Sequence, residues 1–445
     1  MHRQPIGTIN EKGHLIIGGC DTVALAKQYG TPLIVLDEQV IRTNCQLYRE
    51  AFKRFYTQGQ VVYAAKAFMS TAMCRIVEQE GLFLDVVSGG ELYTAIKAQF
   101  SPEKIFFHGN NKSKEELEMA ISYGVGRIVV DNPHELKLLE PLTKKRKKPI
   151  GIFFRVTPGV EPHTHKYVQT GQADSKFGFS LADDVLFREI RNVIRFPRLQ
   201  LRGLHCHIGS QIFDQKAYEK AIEVMIKLMK NIKLKTGSIL QELNIGGGLG
   251  VRYTPDDYPP TIAEHVERIA ATIRKEAKSA GLPPPIIFDE PGRSIVARAG
   301  ITLYTIGSMK EIPKVRKYIA VDGGMSDNPR VALYQSKYEL ALANRAKDEP
   351  NEKVTVAGKC CESGDILFPD VTLAKPVAGD ILAVFSTGAY HYSMASNYNR
   401  IPRPAVVLCK DGKSELMIKR ETYDDLVSHD VLPSWLNHRG RFFRR

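Results

Sequence analysis

Eight short apolar runs end on, or lead into, groups that could do chemistry. VVYAAK (61–66) ends on Lys66, LFLDVV (82–87) carries Asp85, KIFFHG (104–109) carries His108, and RIVVD (127–131) ends on Asp131. PIGIFFRV (149–156) carries Arg155, LQLRGLHCH (199–207) ends on His207, LQELNI (240–245) runs into Gly246, Gly247 and Gly248, and PPIIFDE (284–290) closes on Glu290. A single polar residue at a strand end is usually a loop residue. Eight in succession point to a site assembled from strand ends. The glycines of NIGGGLG (244–250) and EPGR (290–293) follow the last two runs. Glycine clusters are mostly turns, but there they let backbone N–H groups approach a phosphate. Lys66 could be an ordinary surface lysine with its stem along apolar neighbours. In a desolvated pocket its ammonium form would be disfavoured, which suits a Schiff base with an aldehyde. A phosphate cradle and a Schiff-base lysine together imply pyridoxal phosphate.

Positioning these groups requires parallel strands with helices between them. The first four runs start 21 to 23 residues apart, the length of a strand, a short helix and two tight loops. Eight such units over about 250 residues match a TIM (β/α)8 barrel, with a doubly wound open sheet as the competing α/β architecture. SKEELEMAISYG (113–124), with Ser113 and Glu116 as a capping box, and the stretch 215–237 supply amphipathic helices. After residue 295 strands follow without regular helices: 301–309, 317–324, 353–358, 380–386 and a hairpin over 404–419 turning at Asp411-Gly412. A further hairpin is expected over 7–18, turning at Lys12-Gly13. The expected architecture is a cofactor-binding barrel at 36–294 and a mainly β domain formed by 1–35 plus 295–445.

Composition narrows the function class. Of 445 residues, 43% are hydrophobic and 25% charged, enough apolar material for full cores and no signature of disorder. No apolar run approaches the roughly 20 residues of a membrane span, and the first residues lack an apolar export segment, so a cytoplasmic setting and no membrane partner are expected. The net charge of +13 is concentrated in KKRKK (144–148) and the tail HRGRFFRR (438–445). No aromatic-interleaved basic platform accompanies it, so no nucleic-acid partner is expected. The seven cysteines, Cys20, Cys45, Cys74, Cys206, Cys360, Cys361 and Cys409, show no metal-ligand spacing, and no metal is expected. Most read as small buried hydrophobes.

YAAKAF (63–68), DVVSGGEL (85–92), HCHIGSQ (205–211), GGGLG, EPGRSIVA (290–297), CESGD (361–365) and GAYHYSMASNYN (388–399) together resemble the bacterial diaminopimelate decarboxylase family, in order and over nearly the whole chain. The resemblance implies the alanine-racemase-like fold and conversion of meso-diaminopimelate to L-lysine and carbon dioxide. It also implies a homodimer with shared active sites. By motif, Lys66 would hold the cofactor and His207 stack on its ring, while Ser210, Gly246, Gly247, Gly248, Gly292, Arg293 and Tyr390 would serve the phosphate. Glu290 would pair with the ring nitrogen and keep it protonated, the strong electron sink that loss of carbon dioxide demands; alanine racemases, with arginine there, have a weaker one. Cys361, from the partner subunit, would return a proton to the substrate carbon. Lys359-Cys360 replaces the glycine-proline usual before this cysteine, which raises Cys360 as a rival; register with Glu-Ser-Gly-Asp favours Cys361. Arg293, Arg330, Tyr334, Glu362 and Tyr390 would bind substrate, the arginines as carboxylate clamps and Glu362 for an ammonium. Alternatives are a related decarboxylase for ornithine, arginine or a carboxylated polyamine, and a non-catalytic regulatory relative, which would be expected to lack Lys66 or Cys361.

Overall fold

The computed structural model describes residues 6–144, 146–160, 175–181 and 184–436. The basic tail and Lys145 of the basic run lie outside them. All eight expected strands form. Gly59–Ala64, Phe83–Val86, Ile105–Phe107, Arg127–Val130, Ile150–Thr157, Leu199–His205, Glu242–Asn244 and Ile286–Asp289 pair in parallel in that order. The last pairs back onto the first, Asp289 beside Val61, so the sheet is a closed barrel and not an open one.

Local chemistry sets the helices between them. Ser113 and Glu116 make the expected capping box for helix Lys114–Tyr123, which Gly124 ends in a left-handed conformation. Thr261 and Glu264 cap Ile262–Ala280 in the same way. After the eighth strand the helix is only Arg293–Val296, too short to cover the barrel wall. Helix Glu38–Phe55, which precedes the first strand, packs there: Asn44 Nδ2 donates to Ile295 O at 2.8 Å and the Tyr48 hydroxyl lies 2.7 Å from Ser294 Oγ.

Inside the barrel Val62, Phe106, Val129, Phe153 and Phe288 form their own apolar cluster. At the strand starts an ionic plug closes the bottom. Glu242 accepts from Arg127 at 2.9 and 3.0 Å and from Arg202 at 2.7 and 3.0 Å, while the Arg127 guanidinium lies 5.0 Å from the Phe106 and Phe288 rings. Chemistry is therefore left to the other end.

The second sheet uses the expected C-terminal strands and three more, Leu33–Asp37, Leu340–Leu342 and Ile366–Leu373. Its order is Ile366–Leu373, Glu352–Ala357, Arg316–Val321, Gly300–Ile312, Leu33–Asp37, Ala405–Lys410 and Lys413–Ile418, with Ile381–Phe385 also paired to Gly300–Ile312. Leu33–Asp37 is central, antiparallel to Gly300–Ile312 and parallel to Ala405–Lys410. The N-terminal hairpin forms, but in a separate three-stranded sheet with Cys20–Asp21. It packs on the β domain through Leu15, Ile17 and Cys20 without adding a strand to it.

Candidate active site

The strand ends converge on a cavity of about 450 Å³ whose wall includes Lys66, His108, Arg155, His207 and Arg293, joined by Arg330, Tyr334 and Tyr390 from the β domain. A narrow recess opens from it, lined by Gly247, Gly248, Glu290, Gly292 and Ser210. Lys66, His207, Ser210, Arg293 and Tyr390 face both hollows. A larger hollow, about 1060 Å³, is an open groove lined by Phe213, Pro255, Tyr258 and Arg268 among others and contains none of the strand-end groups.

Lys66 lies two residues past its strand, in the single turn Ala65–Ala67, between two buried alanines. Its own side chain is exposed, a correction to the expectation of a desolvated lysine: the open cavity, not an apolar wall, surrounds it. The β domain docks on this turn. Ala67 O accepts from Tyr390 N at 2.7 Å and from Ser393 Oγ at 2.9 Å, and Tyr392 meets Phe68 edge-on at 6.3 Å.

Glu290 is buried among donors. Asn244 Nδ2 donates to its Oε1 at 2.6 Å, His108 Nε2 lies 3.0 Å from Oε1, and His205 Nε2 lies 3.4 Å from Oε2. Burial alone would push this carboxyl up, but the imidazoles beside it, His108 foremost, hold it well below the ordinary carboxylate range. Burial pushes His205 down to about 3, so it serves Glu290 as a neutral dipole. His207 is pushed down by burial and then by the Lys66 charge. A neutral ring fits its Nδ1 accepting from Gly247 N at 3.3 Å.

The glycine cradle admits no larger side chain. Gly246 has φ +69°, and a Cβ on Gly247 would sit 1.9 Å from Glu290 O. Beside it Arg293 donates to Ser210 Oγ at 2.9 Å and to the Tyr253 hydroxyl at 2.5 Å, and its guanidinium lies 4.8 Å from the Tyr390 ring. Among the described residues its Nε, which is buried, has no hydrogen-bond partner. Arg330 is also buried, donating to the Tyr338 hydroxyl at 2.9 Å, and lies 5.3 Å from the Tyr334 ring.

Some expected residues lie elsewhere. Asp85 and Asp131 are buried and absent from the cavity wall; Asp131 accepts from Gly178 N at 3.0 Å and lies 3.8 Å from Arg155. Cys361 and Glu362 are exposed, and neither lines the cavity of this chain. The loop that carries them is pinned by the buried Asp365 carboxylate, which accepts from Cys360 N at 2.8 Å and Met325 N at 2.7 Å. That carboxylate gives the loop its turn despite Lys359-Cys360. Cys360 points inward and burial pushes its thiol up, whereas Cys361 is the one exposed cysteine of the seven. Of the two histidines beside Glu290, His108 was brought out by its strand-end position; His205, two residues before His207 on the same strand, was missed, and Asn244 and Tyr253 carried no signal.

A family model for the pyridoxal binding domain of pyridoxal-dependent decarboxylases matches residues 38–297. Diaminopimelate decarboxylase of Bacillus subtilis (strain 168) is 53% identical over 422 residues, 95% of this chain and 96% of that one. The chain belongs to the diaminopimelate decarboxylase family. Its cofactor is pyridoxal 5'-phosphate, and its reaction class is decarboxylation. The solved structure of diaminopimelate decarboxylase from M. jannaschii in co-complex with L-lysine is 36% identical, with a TM-score of 0.90 over 96% of this chain and 98% of that one. The Helicobacter pylori enzyme complexed with L-lysine is 28% identical, with a TM-score of 0.83 over 92% and 98%. The site fits this family's cofactor: a free-standing amine on Lys66, a carboxylate held ionised at Glu290, a cradle closed to any Cβ, and an arginine with an unused buried donor. Among the described residues no helix is long and apolar enough to cross a membrane.

Proposed function

We propose that this protein decarboxylates meso-2,6-diaminopimelate to L-lysine and carbon dioxide, the last step of lysine biosynthesis. The observation that carries the substrate is Arg330, a buried cation on the cavity wall with no carboxylate partner among the described residues. A buried cation is costly unless an anion meets it, and a substrate with a second carboxylate supplies one. A diamine precursor such as ornithine would not. The names of the relatives and the L-lysine bound to two of them agree with this reading.

Bound pyridoxal phosphate supplies a protonated ring that takes up the electron pair left when carbon dioxide departs. Lys66 would hold it, its exposed amine free to give way to the substrate's. His207, neutral, would cover the ring without placing a second cation there. Gly246, Gly247, Gly248 and Gly292 would offer backbone to the phosphate, with Ser210, Arg293 and Tyr390 donating side-chain hydrogen bonds. Glu290 would keep the ring nitrogen protonated. Arg330, Tyr334 and Arg293 would orient the far end of the substrate and exclude water, Tyr390 closing that side.

Cys361 would return the proton and Glu362 hold the distal ammonium from the partner subunit, because both are exposed and off this chain's cavity wall. The homodimer, the cytoplasmic setting and the division into a barrel at 36–294 and a β domain at 1–35 plus 295–445 belong to the same reading. An absorption spectrum of the purified protein, borohydride reduction with peptide mapping, and a substrate panel test it. The expected results are a cofactor band, pyridoxyl label on Lys66, and turnover of diaminopimelate well above ornithine, arginine or a carboxylated polyamine. Label on another lysine, or preference for a substrate without the second amino-carboxylate, would overturn it.

A further inference from the structure

Asn244, the last residue of the seventh strand, is fully buried and has both ends of its side chain engaged. Its Oδ1 accepts from Gly246 N at 2.9 Å and its Nδ2 donates to Glu290 Oε1 at 2.6 Å. This orientation of the amide is forced, because the Gly246 N–H can only donate and a carboxylate can only accept. Glu290 N in turn donates to Gly246 O at 2.9 Å. Three hydrogen bonds thus close a ring through Asn244, Gly246 and Glu290.

The ring has little freedom to relax. Gly246 is at φ +69° and packed so that even a Cβ would lie 2.5 Å from Cys206 O, and Asn244 is held in register between His205 and Phe288. Glu290 Oε1 receives Asn244 and faces His108, whereas Oε2 has only His205, at 3.4 Å. Oε2 is therefore the oxygen with capacity for a further donor. Among the described residues Asn244 is the side-chain amide that bonds both the carboxylate and the glycine cradle.

We propose that Asn244 is a positioning residue that joins the Glu290 carboxylate and the glycine cradle into one rigid unit, so that a single side chain sets both where the cofactor's ring nitrogen finds its proton partner and where its phosphate is received. The inference rests on the reading that Glu290 faces the ring nitrogen. Its two halves are separable by chemistry. Aspartate at 244 keeps an acceptor for Gly246 N–H but replaces the donor to Glu290 with a second carboxylate oxygen, which disfavours ionisation of the pair. Alanine loses both ends.

The test uses holoenzyme reconstituted with 15N-labelled pyridoxal phosphate and reads the ring-nitrogen chemical shift, the cofactor dissociation constant and kcat. In Asn244→Asp the ring-nitrogen signal moves to its unprotonated position and kcat falls ~10- to 150-fold, while the dissociation constant changes less than about threefold. In Asn244→Ala the dissociation constant also rises, by ~10-fold or more. A wild-type ring signal in Asn244→Asp, with loss of activity explained by lower stability alone, would overturn the proposal. An unprotonated ring in the wild type would instead overturn the assignment of Glu290. If Asn244→Asp alone does not fold, the double variant Asn244→Asp/Glu290→Gln removes the second carboxylate and must recover folding and cofactor affinity. Failure of that rescue also refutes the linkage.

Discussion

Replacing Arg330 with alanine separates what this residue does for the fold from what it does for substrate. Within the protein it makes one good hydrogen bond, to Tyr338 at 2.9 Å, a long one to Ser336 at 3.4 Å, and cation contacts to Tyr334 and Tyr390 at 5.3 and 5.6 Å. The bonds contribute about 0.5–1.5 kcal/mol each, and the ring contacts add about as much. Against them stands the cost of burying a guanidinium with no anion, which removal relieves. Net stability should change by no more than ~2 kcal/mol. The pairing with a substrate carboxylate has no such offset in the variant. A charge-assisted bond of about 1.5–3 kcal/mol corresponds to a ~10- to 150-fold loss of kcat/KM, carried mainly by KM if the contact forms equally in ground and transition states. Lysine release from meso-diaminopimelate, measured beside the melting temperature, is the assay, and Arg330→Lys should recover part of the loss. Unchanged kcat/KM, or an equal loss on a substrate lacking the second carboxylate, would refute the clamp.

Mixing Lys66→Ala and Cys361→Ala chains should restore roughly a quarter of wild-type activity, because half the dimers are mixed and each has one intact site of two; no recovery after confirmed subunit exchange would exclude shared sites. Gly247→Ala should abolish cofactor retention on dialysis, since its Cβ would lie 1.9 Å from Glu290 O, and wild-type retention would show that the cradle can move. Glu242→Ala strands the Arg127 guanidinium in the barrel floor and should lower the free energy of unfolding by about 3–5 kcal/mol in denaturant titration. A loss under about 1 kcal/mol would mean that Arg127 reaches water.

The barrel was legible because each strand is a compact apolar run bounded by turn residues, and the first four repeat at near-constant spacing. Leu33–Asp37 was harder to place: LIVLD is short, sits between two helices, and finds its partners only in residues 300–303 and 405–409. Ile366–Leu373 carries Pro369, which argues against a strand until the chain is seen to bend there, with two register shifts against Glu352–Ala357. At the site, strand-end position brought out Lys66, His207 and Glu290, and motif order added Arg330 and Tyr390. Asn244 and Tyr253 stayed hidden because their roles depend on side-chain hydrogen bonds across 46 and 40 residues. The exposure of Lys66 follows from its facing a cavity walled by both domains, which no local pattern encodes.

The central place of Leu33–Asp37 in the second sheet constrains how the chain can be made. This strand leaves the ribosome early, apolar on both faces, with each of its pairing edges committed to segments still unsynthesised. At typical elongation rates of roughly 5–20 residues per second, the gap before Gly300 lasts on the order of 10–50 s and covers the whole barrel. Throughout that time the nascent chain carries a sticky strand beside a folding domain. The barrel can close first, since its eight strands need nothing from either terminus. The β domain, and with it the side of the cavity carrying Arg330 and Tyr390, becomes complete only at the end of translation, so a truncated product should retain a barrel but have no closed site.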